Sequence, residues 1–281
     1  MRNVSSDGKT ISINKFENLD APSRKRSKGD RLAVVLDVET TGLSADLDKV
    51  IQLAIRPFYF DPETYEVTGI AKKTVLYNDP GEPLREEIVN ITGITDEDLS
   101  GHTIDWEWVR SALHRPDIII THNVAFDRKF VEKALAANGL NYTDGPIWCC
   151  SMRQVEWTEV CRPSKALEVL CAWSGFFYNA HKADADVDAL LHLLRKENKL
   201  QELVIRGTAP EYRVFAVNTP YELNSELKRR WYRWDPSVKL WWKGFEESSD
   251  ADEEIAWLKE NIDGEAPQVF EVEAKHRYSP E

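Results

Sequence analysis

The chain has 281 residues, 42% of them hydrophobic, 30% charged and 10% aromatic, with a formal net charge of −12. That length allows one full α/β domain plus something smaller, and no apolar run approaches the ~20 residues that a membrane span needs. The N-terminus has no apolar stretch that could serve as a secretory signal, so a cytoplasmic protein with no membrane partner is expected.

Residues 1–29 are polar, lack hydrophobic periodicity and contain the run RKRSK at Arg24–Lys28. This pattern predicts a disordered basic arm, whose charges are either solvated or directed at nucleic acid. At Leu32 the texture changes. LAVVLDV is a nearly continuous, β-branched apolar run, the signature of a strand buried on both faces. VIQLAIRPFYF and GIAKKTVLY read as two further strands, antiparallel partners of one another. Short helices are expected around Leu84–Ile91 and Trp106–His114. DIIITHN is another buried strand, and it feeds a helix, AFDRKFVEKALAANG, that Gly139 ends. IWCC is a short strand. SMRQVEW, KALEVLCAWSG and ADADVDALLHLLRKE follow as helices. Strands first, then strand–helix alternation, predicts an α/β domain over 30–205, a mixed sheet flanked by helices. A small α+β module is expected over 211–275, with 276–281 as a tail. Cys149 and Cys150 are adjacent while Cys161 and Cys171 stand alone. That spacing suits neither a zinc site nor a disulfide framework and predicts buried free thiols.

The net charge alone argues against a nucleic-acid enzyme, because backbone contacts usually call for Lys and Arg. The distribution matters more. Residues 1–31 carry eight Lys or Arg against four acids, and residues 212–243 carry seven against three. The excess acid sits in residues 244–281, with twelve acids and three bases.

Three segments carry candidate chemistry. In VVLDVETTGL, residues two apart on a strand share a face, so Asp37 and Glu39 project together. Two acids at the end of a buried strand raise each other's pKa, a penalty that a divalent cation removes. Two solvated acids at a strand end remain the alternative. In THNVAFDRKF, Asp127 falls in the first turn of a helix, where acids are favoured by the macrodipole anyway. In HKADADVDALLHLL, an advance of about 100° per residue puts Val187, Leu190, Leu191, Leu193 and Leu194 on one arc. Asp186 falls inside that arc, whereas Asp184, Asp188, His192 and Arg195 fall on the opposite, solvated side. A buried acid needs a partner or a metal. His181 precedes the helix on a segment free to swing over the site. His102, His114 and His276 read as structural.

D-x-E-T-T-G-L at Asp37–Leu43, H-N-x-x-F-D at His122–Asp127 and H-x-x-x-x-D at His181–Asp186 together resemble the motif set of the DEDD superfamily of 3′-to-5′ exonucleases, DnaQ-like branch. The resemblance covers roughly residues 32–200. Its histidine variant is indicated, since Tyr178 is misplaced for the Tyr-x-x-x-Asp of the sister group. Asn90–Leu99 (NITGITDEDL) also resembles proofreading members. The resemblance implies an RNase H-like fold and two divalent cations, Mg²⁺ or Mn²⁺, held by Asp37, Glu39, Asp127 and Asp186. It implies His181 as general base and release of 5′-mononucleotides. It places the terminal nucleotide against Thr40, Thr41, Gly42 and Leu43, with backbone amides at the 3′-OH and Leu43 on a base. Asn123 is expected to order the loop before Asp127.

The module over 211–275 holds Trp231, Trp234, Trp241 and Trp242 among Lys228, Arg229, Arg230, Arg233, Lys239 and Lys243. Aromatic rings beside cations are the physics of single-strand binding, while a small core built on tryptophans explains the same rings. The pattern weakly resembles a module appended to some DnaQ-like exonucleases and to mobile-element proteins. DNA 3′ ends are the favoured substrate. The rival expectations are a proofreading subunit with a polymerase or repair partner, an RNA-trimming enzyme, or a catalytically silent nucleic-acid-binding scaffold.

Overall fold

The apolar run around Val34 forms β1 (Arg31–Thr40), and its alternation serves two cores at once. Ala33 and Val35 enter one; Val34, Leu36 and Val38 enter the other. The computed structural model describes residues 3–4, 9–22, 25–161, 164–262 and 267–279. The chain divides into one unit of Met1–Gly207 with Tyr278–Glu281 and a second of Thr208–Arg277.

In the first unit β2 (Val50–Phe60) runs antiparallel to β1 from Arg31↔Phe60 to Thr40↔Val50, with a register shift between Glu39 and Thr40. The stretch predicted as one strand, GIAKKTVLY, is two: β3 (Val67–Ile70) and β4 (Thr74–Tyr77), both antiparallel to β2. The break at residues 71–73 faces Pro57, which has no N–H to give to a ladder; it accepts the Ala71 N–H instead, at 2.9 Å. Beyond β4 come α1 (Glu86–Thr92), α2 (Asp96–Leu99) and α3 (Trp106–Leu113). The strand β5 (Ile118–Thr121) then lies parallel to β1, and β6 (Ile147–Cys150) parallel to β5. The six-stranded sheet therefore runs β3-β2-β1-β5-β6, with β4 also on β2. This is a mixed sheet of the RNase H-like kind.

Helices cover both faces. The helix α4 (Val124–Ala137) buries Phe130, Val131 and Leu135 beside Val38 and Leu36. On the other face α5 (Leu167–Trp173) and α6 (Ala183–Lys196) bury Leu170, Val187, Leu190 and Leu194 beside Ala33 and Val35. All four cysteines are buried and free, as expected. Among the described residues no helix is long and apolar enough to cross a membrane.

Two boundary expectations need correction. Part of the presumed arm is docked: Asn14–Lys15 pairs in parallel with Phe176–Phe177, and the Phe16 ring stacks on His192 at 4.7 Å. His192 and the Arg195 guanidinium, which donates to the Asp20 carbonyl at 2.8 Å, thus hold chain where solvent was expected. Arg24, at the head of the basic run, lies outside the described residues. At the other end, Tyr278 packs on the first unit's core and Ser279 Oγ accepts from Arg128 at 3.1 Å, so these two residues are not a loose tail.

The second unit is an antiparallel sheet in the order β8-β9-β7-β10, built from β7 (Glu211–Ala216), β8 (Arg233–Asp235), β9 (Leu240–Phe245) and β10 (Gln268–Val272). Two helices, α7 (Asn224–Arg229) and α8 (Ser248–Asn261), supply Leu227, Ala251 and Leu258 to a core with Val214, Ala216 and Trp241.

Candidate active site

Period-two geometry puts Asp37 and Glu39 on the sheet face that α6 covers, and helical phase brings Asp186 down onto them. One carboxylate oxygen from each of the three lies within 4.8 Å of the others. Asp127 approaches from α4 on the opposite side of β1. It is 2% exposed, and its Oδ1 accepts the Val38 N–H at 3.3 Å. The residue between the two strand acids thus ties the fourth carboxylate to them through its backbone.

Crowding and burial disfavour the ionised forms. The Asp37 carboxyl is held well above the ordinary range, first by burial, then by the charges of Asp127, Asp186 and Glu39. Burial, with Asp186 and Asp127, pushes Glu39 up to about 8. Burial raises Asp127 to about 7 and Asp186 to about 6. Hydrogen bonds temper the Asp186 rise: the Tyr178 hydroxyl donates to Oδ1 at 2.6 Å and the Lys182 N–H to Oδ2 at 2.9 Å. A cluster of oxygen donors that cannot all ionise unaided fits a divalent cation of the hard, oxygen-seeking kind.

His181 stands apart from the four acids. Its backbone has φ of 62°, in the left-handed region, and its Nε2 lies 3.2 Å from Glu168 Oε2 on α5. The ring is 54% exposed. The other motif histidine, His122, is structural. Burial lowers it to about 4, and it contacts Ser151 Oγ and the Lys165 carbonyl at 2.7 Å each.

The Thr40–Leu43 turn is built around Asp48. Thr41 Oγ1 donates to Asp48 Oδ1 at 3.2 Å, the Ser44 N–H donates to Oδ2 at 2.9 Å, and Thr40 Oγ1 donates to the Gly42 carbonyl at 2.5 Å. A Cβ at Gly42 would meet Asp48 Oδ1 at 2.5 Å and Arg85 Nη2 at 2.6 Å, so a larger residue there would displace the side chains that hold the turn. Leu43 is 89% exposed, an apolar side chain left open at the end of the acid cluster's strand. The Asn123 carbonyl accepts the Phe126 and Asp127 N–H groups, while its side chain makes no cap hydrogen bond.

Sequence reasoning missed several groups. Gln52, opposite Glu39 in register, accepts the Ala183 N–H at 2.9 Å and so seats the start of α6 on the sheet. Tyr178 and Glu168 support Asp186 and His181. Asp188 is a correction: expected in solvent, it is bound by Arg56 at 2.5 and 2.8 Å and by Lys73 at 2.9 Å. The phase argument treats the far side of a helix as water, whereas β2 and the β3–β4 connection reach it. Asp184 is more open, 3.6 Å from Lys73.

In the second unit the four expected basic contacts do not form one cluster. Arg230 is engaged bidentately by Glu254, itself 5% exposed, and lies over Trp257. Arg229 pairs with Glu226 at 2.6 Å. Arg233 sits over Trp242, whereas Lys228 sits over Trp241, which points to the other sheet face.

The RNase T exonuclease family model matches residues 34–194, more than half of the chain. DNA polymerase III PolC-type of Lacticaseibacillus paracasei is 32% identical over 173 residues, covering 58% of this chain and 11% of that protein. The PolC-type polymerase of Pediococcus pentosaceus is 35% identical over 116 residues, 41% of this chain and 8% of that protein. The chain thus spans about a tenth of the length of these relatives. Solved structures of exonuclease I, apo and product-bound, are each 18% identical with a TM-score of 0.50. They are covered to 49% and 51% and cover 66% of this chain, a likeness of fold. The chain belongs to the exonuclease family, in the DEDD-type 3′-to-5′ superfamily.

Proposed function

We propose that this protein removes 5′-mononucleotides from the 3′ ends of DNA, using two Mg²⁺ or Mn²⁺ ions. The observation that carries the reading is the convergence of Asp37, Glu39 and Asp186 within 4.8 Å, with Asp127 tied to the same strand. Those four carboxylates would hold the ions, which supply charge to the scissile phosphate and lower the cost of forming hydroxide from water. His181, on its exposed segment, takes the proton of the attacking water, a role worth ~10²–10⁴-fold in rate. Glu168 holds the imidazole. The Thr40–Leu43 turn receives the terminal nucleotide, Leu43 against its base and the backbone amides at its 3′-OH. Bound in this way, the site would engage a free 3′ end rather than an internal phosphate. Asn123 holds the loop that delivers Asp127.

DNA is favoured over RNA because the PolC-type relatives are DNA polymerases by name. The same matches favour a second reading, a proofreading subunit acting beside a polymerase, and co-purification of a polymerase with the tagged chain would support it.

The test is degradation of 3′-labelled and 5′-labelled single-stranded DNA, duplex DNA and RNA in Mn²⁺. Stepwise loss from the 3′ end, abolished by Asp37→Ala and by Asp186→Ala in folded protein, is expected. An Asp186→Ala variant that degraded 3′ ends at the wild-type rate would sink the assignment.

A further inference from the structure

The second unit carries a groove of about 640 Å³ that the catalytic reading does not use. Its floor is Trp241, nearly buried, with its indole N–H donated to Asn224 Oδ1 at 2.9 Å. Trp234 stands directly opposite Trp241 in the β8·β9 pair, so both rings leave the same face of the sheet. Their centroids are 5.5 Å apart at 63°. Trp241 is thus core, whereas Trp234 keeps 49% of its surface exposed and Tyr221, on the same groove, 84%. Rings that served only as core would be hidden.

The charges separate in the same way. Four bases of this unit are paired with acids: Arg230 and Lys243 with Glu254, Arg229 with Glu226, Arg213 with Glu211. Lys228 and Lys239 line the groove without a salt bridge among the described residues, and no acidic side chain is among the described lining residues. In a chain of net charge −12, two unneutralised lysines beside open aromatic faces mark where an anion with flat rings is accepted.

We propose that this groove binds an unpaired DNA strand, with bases on Trp234 and Tyr221 and phosphates at Lys228 and Lys239. A single strand alternates an anionic phosphate with an exposed π-face, and stacking needs no particular base. A duplex hides its base faces in its own stack and offers the groove phosphates alone. The proposal rests on the exonuclease reading for why the chain meets single strands, but its test needs no cleavage.

The test is fluorescence anisotropy of labelled oligothymidylate with the full-length chain in EDTA. Stacking on an aromatic side chain is worth about 1–3 kcal/mol per base, so Trp234→Ala should weaken binding about 5- to 150-fold. Trp234→Phe should recover most of the affinity, which separates lost stacking from lost folding. Lys228→Gln with Lys239→Gln should flatten the slope of log K against log salt by about 1.4, at about 0.7 per phosphate contact on a single strand. Hydrolysis of a small phosphodiester in Mn²⁺ should be unchanged in all three variants. Equal affinity in wild type and Trp234→Ala, an unchanged salt slope, or equally Trp234-dependent binding of a matched duplex would overturn the proposal. Trp234-dependent binding by a chain that cleaves nothing in Mn²⁺ would uphold the groove and defeat the exonuclease reading.

Discussion

His181 Nε2 lies 3.2 Å from the Glu168 carboxylate, a pairing between the segment ahead of α6 and the first turn of α5. Both side chains are about half exposed, so the pair adds little to stability; under the proposed mechanism it would hold the imidazole on one side of the site. Replacing Glu168 by Ala should lower kcat by less than about tenfold, and His181→Ala by about 10²–10⁴-fold. The double variant should be no slower than His181→Ala, because Glu168 acts only through the ring. Single-turnover rates on a labelled oligonucleotide check this. Additive losses would mean that Glu168 acts on the substrate directly.

The raised carboxylates make a prediction about stability without metal. Asp186 keeps its proton to about pH 6, Asp127 to about 7 and Glu39 to about 8. The same groups in the unfolded chain lose theirs near pH 4. Between those limits the folded state binds more protons, so stability falls as pH rises through about 4 to 8. In EDTA the Tm should drop across that window, and Asp37→Asn should flatten the drop by removing one of the repelling charges. Each kcal/mol recovered moves Tm by about 2–4 °C in a domain of this size. Adding Mn²⁺ should raise Tm more at the upper end of the window than at the lower. A flat Tm profile in EDTA would show that the four acids are not crowded as described.

Tyr178 makes a separate case. Its hydroxyl donates to Asp186 Oδ1 at 2.6 Å from a half-buried position, fixing the carboxylate that closes the cluster. Outer partners of this kind are typically worth about 10–100-fold in metal affinity. Tyr178→Phe should therefore fold normally yet bind Mn²⁺ about 10–100-fold more weakly by titration calorimetry. Unchanged affinity would reduce Tyr178 to packing.

How far the site was legible follows from which geometry is local. Asp37 and Glu39 share a face by the period of a strand, and Asp186 separates from Asp184 by the phase of a helix; both are read within ten residues. Asp188 was misread because its partner Arg56 is 132 residues away, and helical phase says nothing of what packs on the polar side. Gln52 and Glu168 were invisible for the same reason: each meets its partner only after the sheet has closed. Arg230 looked like a nucleic-acid contact from its basic neighbours, and only the fold brings Glu254 to it.

The docked N-terminal segment gives the last prediction. Its sequence offers little apolar surface, so it reads as solvated, yet Phe16 stacks on His192 and lies 5.7 Å from Phe176. Backbone pairing fixes the register: the Asn14 N–H donates to the Gly175 carbonyl at 3.1 Å and the Phe16 N–H to the Phe177 carbonyl at 2.7 Å. Full burial of a Phe side chain contributes about 1.5–3 kcal/mol, and Phe16 is half-buried, so Phe16→Ala should cost about 1–2 kcal/mol in urea unfolding. Deleting residues 1–22 should cost more, since it also removes the strand pairing and the Arg195 contact with the Asp20 carbonyl. Because Phe176–Phe177 lies just ahead of Tyr178 and His181, the deletion should also slow turnover while leaving Mn²⁺ binding near wild type. A truncated chain with wild-type stability and rate would show that the segment, though docked, supports neither α6 nor the catalytic loop.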